Sequence, residues 1–227
     1  MKKVLLILSS IILIIPLVYI GSLVFEKFNY VSSFTDHESK SLNIETNNKQ
    51  KEMNNFPLFR YNPHAEKLGI IKKENTKCPV CEQEREYVYQ GPFYSEDQVE
   101  GICPWCIKDG SAAKKYDGEF QDAASCEDVE KEEYLVELTT RTPGYSGWQQ
   151  ERWLSHCGDF CALKGYVGWQ EIKPLKEELA KDLDVIKSDY DLTQEQLEEH
   201  LVNNGSMQGY LFECLHCGKH RLTVDAD

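Results

Sequence analysis

Four cysteines, Cys78, Cys81, Cys103 and Cys106, stand in the pattern C-x2-C-x21-C-x2-C, and no other feature of the chain restricts its fold as much. A C-x2-C loop points two sulfurs the same way and can steady them with its backbone N–H groups, so two such loops can close a tetrahedron around zinc. Four protein ligands leave no position for water, so a site of this kind supports folding rather than chemistry. The plainer alternatives are two disulfides or packed free thiols.

The chain has nine cysteines. Cys157 and Cys161 lie four apart, and Cys214 and Cys217 form a further C-x2-C pair, so these four are candidates for a second metal site spanning 157–217. His156 and His216 sit beside them as alternative ligands, which leaves a three-cysteine, one-histidine set open. Cys126 has acidic neighbours, Glu127 and Asp128, and no cation to activate it, which makes it an ordinary packed thiol. Asp117, Glu119 and Asp122 lack the ligand ladder of a calcium loop and read as a solvated acidic stretch.

Charge narrows the function. The formal net charge is −13, and from Phe56 onward 33 acidic residues face 19 basic ones. Nucleic-acid binders gain affinity by replacing counterions with Lys and Arg, so this balance argues against a nucleic-acid partner. Val4 to Phe25 is almost wholly apolar and follows Lys2 and Lys3, which predicts a membrane-anchoring helix over residues 1–25. Residues 26–55, rich in Asn, Ser, Lys and Glu, read as a disordered tether with a reach of roughly 30 Å, and Met53 offers an internal start. The expected protein is therefore single-pass. The positive-inside rule places its domain outside the cytoplasm, whereas its thiol content favours the inside.

The folded domain is expected over 56–227, an α+β unit with treble-clef-like and ribbon-like knuckles. Strands are predicted at 86–90 and 134–138, and a hairpin around the Cys214 knuckle. Helices are predicted at 107–116, at 147–154 and across 171–204, where Thr193 with Gln196 fits a capping box. Arg141, Tyr145, Trp148, Gln149 and Trp153 combine flat apolar faces with hydrogen-bonding groups, a mixture that suits partner binding. It suits packing around the second metal site equally well.

Tyr-Gln-Gly-Pro-Phe-Tyr-Ser (89–95), Cys-Pro-Trp-Cys-Ile (103–107), Gly-Glu-Phe-Gln-Asp (118–122), Arg-Thr-Pro-Gly-Tyr (141–145) and Cys-Leu-His-Cys-Gly-Lys (214–219) are distinctive strings. From Phe56 to the C-terminus the chain resembles the CbrC family, small bacterial proteins named for a colicin-tolerance phenotype. The resemblance implies no established reaction. The functional expectation is a membrane-tethered, zinc-binding interaction module of unknown partner acting in envelope or toxin tolerance. Its rival is a zinc-dependent enzyme with a site near Cys157, Cys161 and the Arg141–Trp153 stretch.

Overall fold

The computed structural model describes residues 56–227. The first strands, β1 (Ile71–Lys77) and β2 (Glu84–Tyr89), form an antiparallel hairpin whose turn holds Cys78 and Cys81. Two short helices follow, α1 (Pro104–Lys108) and α2 (Ser111–Tyr116). A single helix over 107–116 was the expectation; Gly110, at φ 77°, turns the backbone left-handed and splits it. The hairpin knuckle is thus followed by a helix that starts at the second cysteine pair, in an α+β domain.

Helix α3 (Glu132–Arg141) replaces the strand expected at 134–138. Leu138 and Thr139 are buried and Tyr134 and Leu135 half-buried, while Val136 is 47% exposed. That burial recurs at three and four residues, so the helical period overrides the β-propensity of Tyr134 and Val136. Glu132 and Glu133 in the first turn and Arg141 in the last suit the helix dipole.

The helix expected at 147–154 does not form, because its N–H groups donate to side chains instead of to carbonyls four residues back. Trp148 and Gln149 donate to Asp225, Gly147 to Glu151, and Arg152 to the Tyr145 hydroxyl. The chain then makes a small hairpin, β3 (Ser155–His156) with β4 (Asp159–Phe160), and enters a three-stranded antiparallel sheet ordered β5 (Ala162–Val167), β6 (Met207–Glu213), β7 (His220–Ala226).

Between β5 and β6 the expected helical region breaks into α4 (Trp169–Ile172), a 3-10 turn at Lys173–Leu175, α5 (Ala180–Asp189) and α6 (Gln194–His200). Pro174 lies in the first break, and Asp191, at φ 52°, marks the second. The Thr193–Gln196 capping box is present, with Gln196 N donating to Thr193 Oγ1 at 3.3 Å and Thr193 N to Gln196 Oε1 at 2.8 Å. These helices bury Ile172, Leu179, Leu183, Ile186 and Leu197 together with Leu222 and Val224 of the sheet. A second core is aromatic: the rings of Tyr145 and Trp153 are 5.6 Å apart, and Phe212 lies 5.5 Å from Trp153.

The membrane expectation is corrected here. Among the described residues no helix is long and apolar enough to cross a membrane. The longest have ten residues, about 15 Å at the α-helical rise of ~1.5 Å per residue, half of a hydrocarbon core of about 30 Å. The transmembrane helix of the expected fold class, the membrane as a partner and the single-pass localisation are therefore not carried forward. The stretches that suggested them, residues 1–25 and 26–55 with Met53, lie outside the described residues.

Gly144, in the Arg-Thr-Pro-Gly-Tyr string, packs its backbone directly against Phe120. A Cβ there would overlap the Phe120 carbonyl oxygen, a backbone atom with no rotamer by which to yield. Gly144→Ala is expected to lower stability by about 1–3 kcal/mol, read as a reduced urea midpoint with an unchanged slope.

Candidate metal centres

The turns of the two larger hairpins share one backbone design. In the first, Cys78 N donates to Gln83 O at 2.9 Å and Glu82 N to Cys78 O at 2.8 Å; in the second, Cys214 N donates to Lys219 O at 2.8 Å and Gly218 N to Cys214 O at 3.0 Å. The residue after the second cysteine is left-handed in both, Glu82 at φ 58° and Gly218 at φ 71°. Each turn thus folds a C-x2-C pair back onto itself.

At the first centre the β1–β2 turn faces the start of α1. Cys78 Sγ lies 3.9 Å from Cys106 Sγ, and Cys81 Sγ 4.0 Å from Cys103 Sγ. All four sulfurs fall within 4.8 Å of one another. Zinc–sulfur bonds of about 2.3 Å would set tetrahedral neighbours about 3.8 Å apart, whereas a disulfide needs about 2.05 Å. All nine cysteines are free thiols. Hydrogen bonds from Cys103 and then Cys106 pull the Cys78 thiol far below its usual range, while Cys103 is pushed up to about 12. Four sulfurs this close cannot all ionise against one another without a cation between them, so the donor set fits a thiophilic metal. Cys78, Cys103 and Cys106 are buried and Cys81 half-buried. Arg85 stacks over Trp105 at 4.9 Å and hydrogen-bonds Cys81, supplying positive charge at the rim.

At the second centre the β6–β7 turn faces the tip of the β3–β4 hairpin. Cys157 and Gly158, at φ 55° and 76°, form a two-residue turn of the kind that matches strand twist. It presents His156 and Cys157 side by side. His156 Nδ1 lies 3.1 Å from Cys157 Sγ and 3.4 Å from Cys217 Sγ, and the Cys157 and Cys217 sulfurs are 3.8 Å apart. With Cys214 these make a group whose ligand atoms lie within 4.8 Å of one another. Cys214 is held at about 6: burial opposes its charge, but the N–H groups of Cys217 and His216 favour it. Cys157 and Cys217 are exposed.

Cys161, expected as a ligand, is not part of this group. It is fully buried, its carbonyl accepts the Trp153 indole N–H at 2.9 Å, and burial pushes its thiol up to about 12. The place read for it is taken by His156, because the tight turn at 157–158 leaves Cys161 beyond the small hairpin. His216, the other alternative, turns away: its Nε2 lies 2.9 Å from Asp159 Oδ2. Asp159, 1% exposed, also accepts from the Tyr61 hydroxyl at 2.8 Å and pairs with Arg60. This buried carboxylate ties the Cys214 knuckle to the start of the domain, and no sequence motif announces it. Cys126 is half-buried, and burial, reinforced by Asp122 and Glu119, pushes its thiol up to about 12. The acidic residues Asp117, Glu119 and Asp122 join no ligand cluster among the described residues.

Of the residues read as partner-binding, Tyr145 and Trp153 lie in the aromatic core, at 1% and 0% exposure. Arg141, Trp148 and Gln149 reach the surface.

Behind the second centre, Arg221 gathers three segments. It donates to Asp182 of α5 at 3.0 Å, to Glu127 at 3.1 Å, and to the Ser155 carbonyl next to His156. Burial works against the Glu127 charge, but the Ser155 N–H and Arg221 outweigh it and hold the carboxyl below its usual range. The stability this adds is present above the unfolded carboxylate value of about 4.3 and lost as pH falls through the folded value. Glu127→Gln should cost about 1–3 kcal/mol near neutrality. The gap between variant and parent should narrow as pH falls below about 4.3, measured by denaturant titration of both proteins at each pH so that acid effects on the thiolates cancel.

The chain matches the profile of the Uncharacterised protein family UPF0167 over residues 56–226. It is 42% identical to the UPF0167 proteins of Mycobacterium bovis and Mycobacterium tuberculosis, each over 190 residues that cover 80% of this chain and 97% of the relative. It is 38% identical to that of Pseudomonas aeruginosa over 177 residues, 75% of this chain and 97% of the relative. No solved structure matches. The family whose strings the sequence resembles and the family whose profile it matches coincide, and this chain belongs to the UPF0167, CbrC-like family.

Proposed function

We propose that the chain is a two-zinc protein in which the metals have different duties. Cys78, Cys81, Cys103 and Cys106 hold a closed, structural zinc; His156, Cys157, Cys214 and Cys217 hold a second zinc at the surface, where it joins two hairpin tips. The observation that carries the reading is the difference in burial. Three of the four sulfurs at the first centre are buried, whereas two of the three at the second are exposed. A mixed sulfur and nitrogen set with near-tetrahedral spacing suits zinc better than a hard cation, which prefers oxygen.

The domain organisation follows from this reading. Residues 56–227 form a single zinc-dependent unit, with one metal fixing the first hairpin to α1 and the other fixing β3–β4 to β6–β7.

A second reading, a zinc-dependent enzyme working at the second centre, is favoured by a cleft of about 540 Å³ lined by Glu127, Gln149, Arg152, Asp182 and Arg221. It adjoins the His156 hairpin through the contact of Arg221 with Ser155. For chemistry, one ligand would have to give way to water or substrate, since catalytic zinc keeps an open position.

Metal analysis of the full chain tests the reading. Purified protein should carry about two zinc ions. Cys78→Ser should abolish cooperative folding, His156→Ala should remove one ion, and Cys161→Ser should leave both. A folded, metal-free chain, or a Cys161→Ser variant that loses an ion while His156→Ala keeps it, would refute it. Cobalt substitution separates the two duties: a water-exchangeable ligand at the second centre favours the enzyme, and a fixed three-sulfur, one-nitrogen spectrum excludes it.

A further inference from the structure

On the face formed by β5, β6 and the 146–148 loop, three aromatic residues, Trp148, Tyr166 and Tyr210, line a pocket of about 340 Å³. Its volume lies at the small end of the ~300–1,000 Å³ range of ligand sites. Trp148 is 58% exposed, an unusual position for so large an apolar ring. It is nonetheless held at two points: its backbone N–H donates to Asp225 at 2.8 Å, and its indole N–H to Gly205 O at 3.3 Å. Gly147 permits this, because a Cβ there would collide with the Asp225 carboxylate. The rings of Tyr166 and Tyr210 meet edge to face at 5.6 Å.

Two of the polar side chains of the pocket, Tyr210 and Gln208, are already committed. Tyr210 donates its hydroxyl to Asp225 at 2.8 Å, the Ser146 backbone N–H donates to the Tyr166 hydroxyl, and the Gln208 amide donates to Val167 O and Gly209 O. With the Trp148 indole N–H also engaged, a ligand meets the three ring faces, with the exposed Ser146 and Asn204 beside them. No basic side chain lines the pocket. Asp225 and Glu151, 7% and 8% exposed, stand behind it. Both reinforce the burial that pushes the Tyr166 phenol up to about 12. A negative field behind aromatic faces selects a cation. A primary ammonium would have to shed tightly held water, whereas a methylated ammonium gives up little hydration and fills the space between rings.

We infer that the pocket of Trp148, Tyr166 and Tyr210 binds a small organic cation with a methylated ammonium head, of the choline type.

Calorimetric titration of the full, metal-loaded chain with choline tests this against three relatives of the same size class. These are 3,3-dimethyl-1-butanol, its uncharged isostere; ethanolamine, its unmethylated counterpart; and glycine betaine, which adds a carboxylate. Choline should bind saturably, and each relative about tenfold or more weakly. Trp148→Leu, which keeps an apolar side chain without a π face, should weaken choline about tenfold, and Trp148→Phe should restore most of the affinity. Both variants replace an exposed side chain, and an unchanged thermal transition verifies their folding. Equal binding of choline and its uncharged isostere would reduce the pocket to an apolar dimple and overturn the inference. So would no choline binding, or undiminished binding by a folded Trp148→Leu.

Discussion

Sulfurs about 4 Å apart repel one another as thiolates, and this constraint organises the domain. A chain that brings Cys78, Cys81, Cys103 and Cys106 together must either keep most of them protonated or place a cation among them. A cation would suit the geometry better, because neutral thiols gain little from being held at tetrahedral spacing. The short hairpin β1–β2 and the five-residue helix α1 would be marginal alone. A metal held in common would make them one unit.

The second centre solves a different problem. The β3–β4 hairpin has two residues per strand, too few to hold itself. It is fixed through its tip to the Cys214 knuckle, through Asp159 to His216 and Arg60, and through Ser155 to Arg221 and Glu127. These contacts surround the ligand group with opposite charges of defined position. Such an outer shell orients ligands and tunes what a metal can do. The first centre, with most of its sulfurs buried, is insulated; the second stands at the surface with its surroundings already ordered.

How far this was legible in the sequence depends on how locally each feature is encoded. C-x2-C pairs carry their own geometry, so Cys78, Cys81, Cys103, Cys106, Cys214 and Cys217 could be grouped from spacing alone. The Thr193 cap is equally local. Cys161 could not be placed, because its exclusion depends on two left-handed residues at 157–158, and nothing before the fold separates a Cys-Gly turn from an ordinary spacer. His156 stood beside the motif and could be named only as an alternative. The 134–138 segment reads as a strand because Tyr and Val favour β structure, while the burial that makes it helical comes from packing. The 147–154 segment reads as a helix because nothing local shows that its hydrogen-bond acceptors include Asp225, 77 residues from Trp148. Asp159 and Arg221 act only through partners distant in sequence, and no pattern marks them.

The β6–β7 hairpin connects the candidate ligand group to the aromatic pocket by register. Glu213 pairs with His220 at the knuckle end, and Tyr210 with Thr223 and Gln208 with Asp225 farther along. Successive strand residues alternate faces, so a slip by one position would turn Tyr210 and Asp225 to the wrong sides of the sheet. Asp225 would then lose Trp148 and Gln149, whose N–H groups hold the 147–149 loop in place. The knuckle specifies that register, since its hydrogen bonds close only when Cys214 faces Lys219. Four residues of strand, roughly 14 Å at the usual rise, separate Cys214 from Tyr210. The same turn that gathers ligands at one end of the hairpin therefore sets the walls of the pocket at the other.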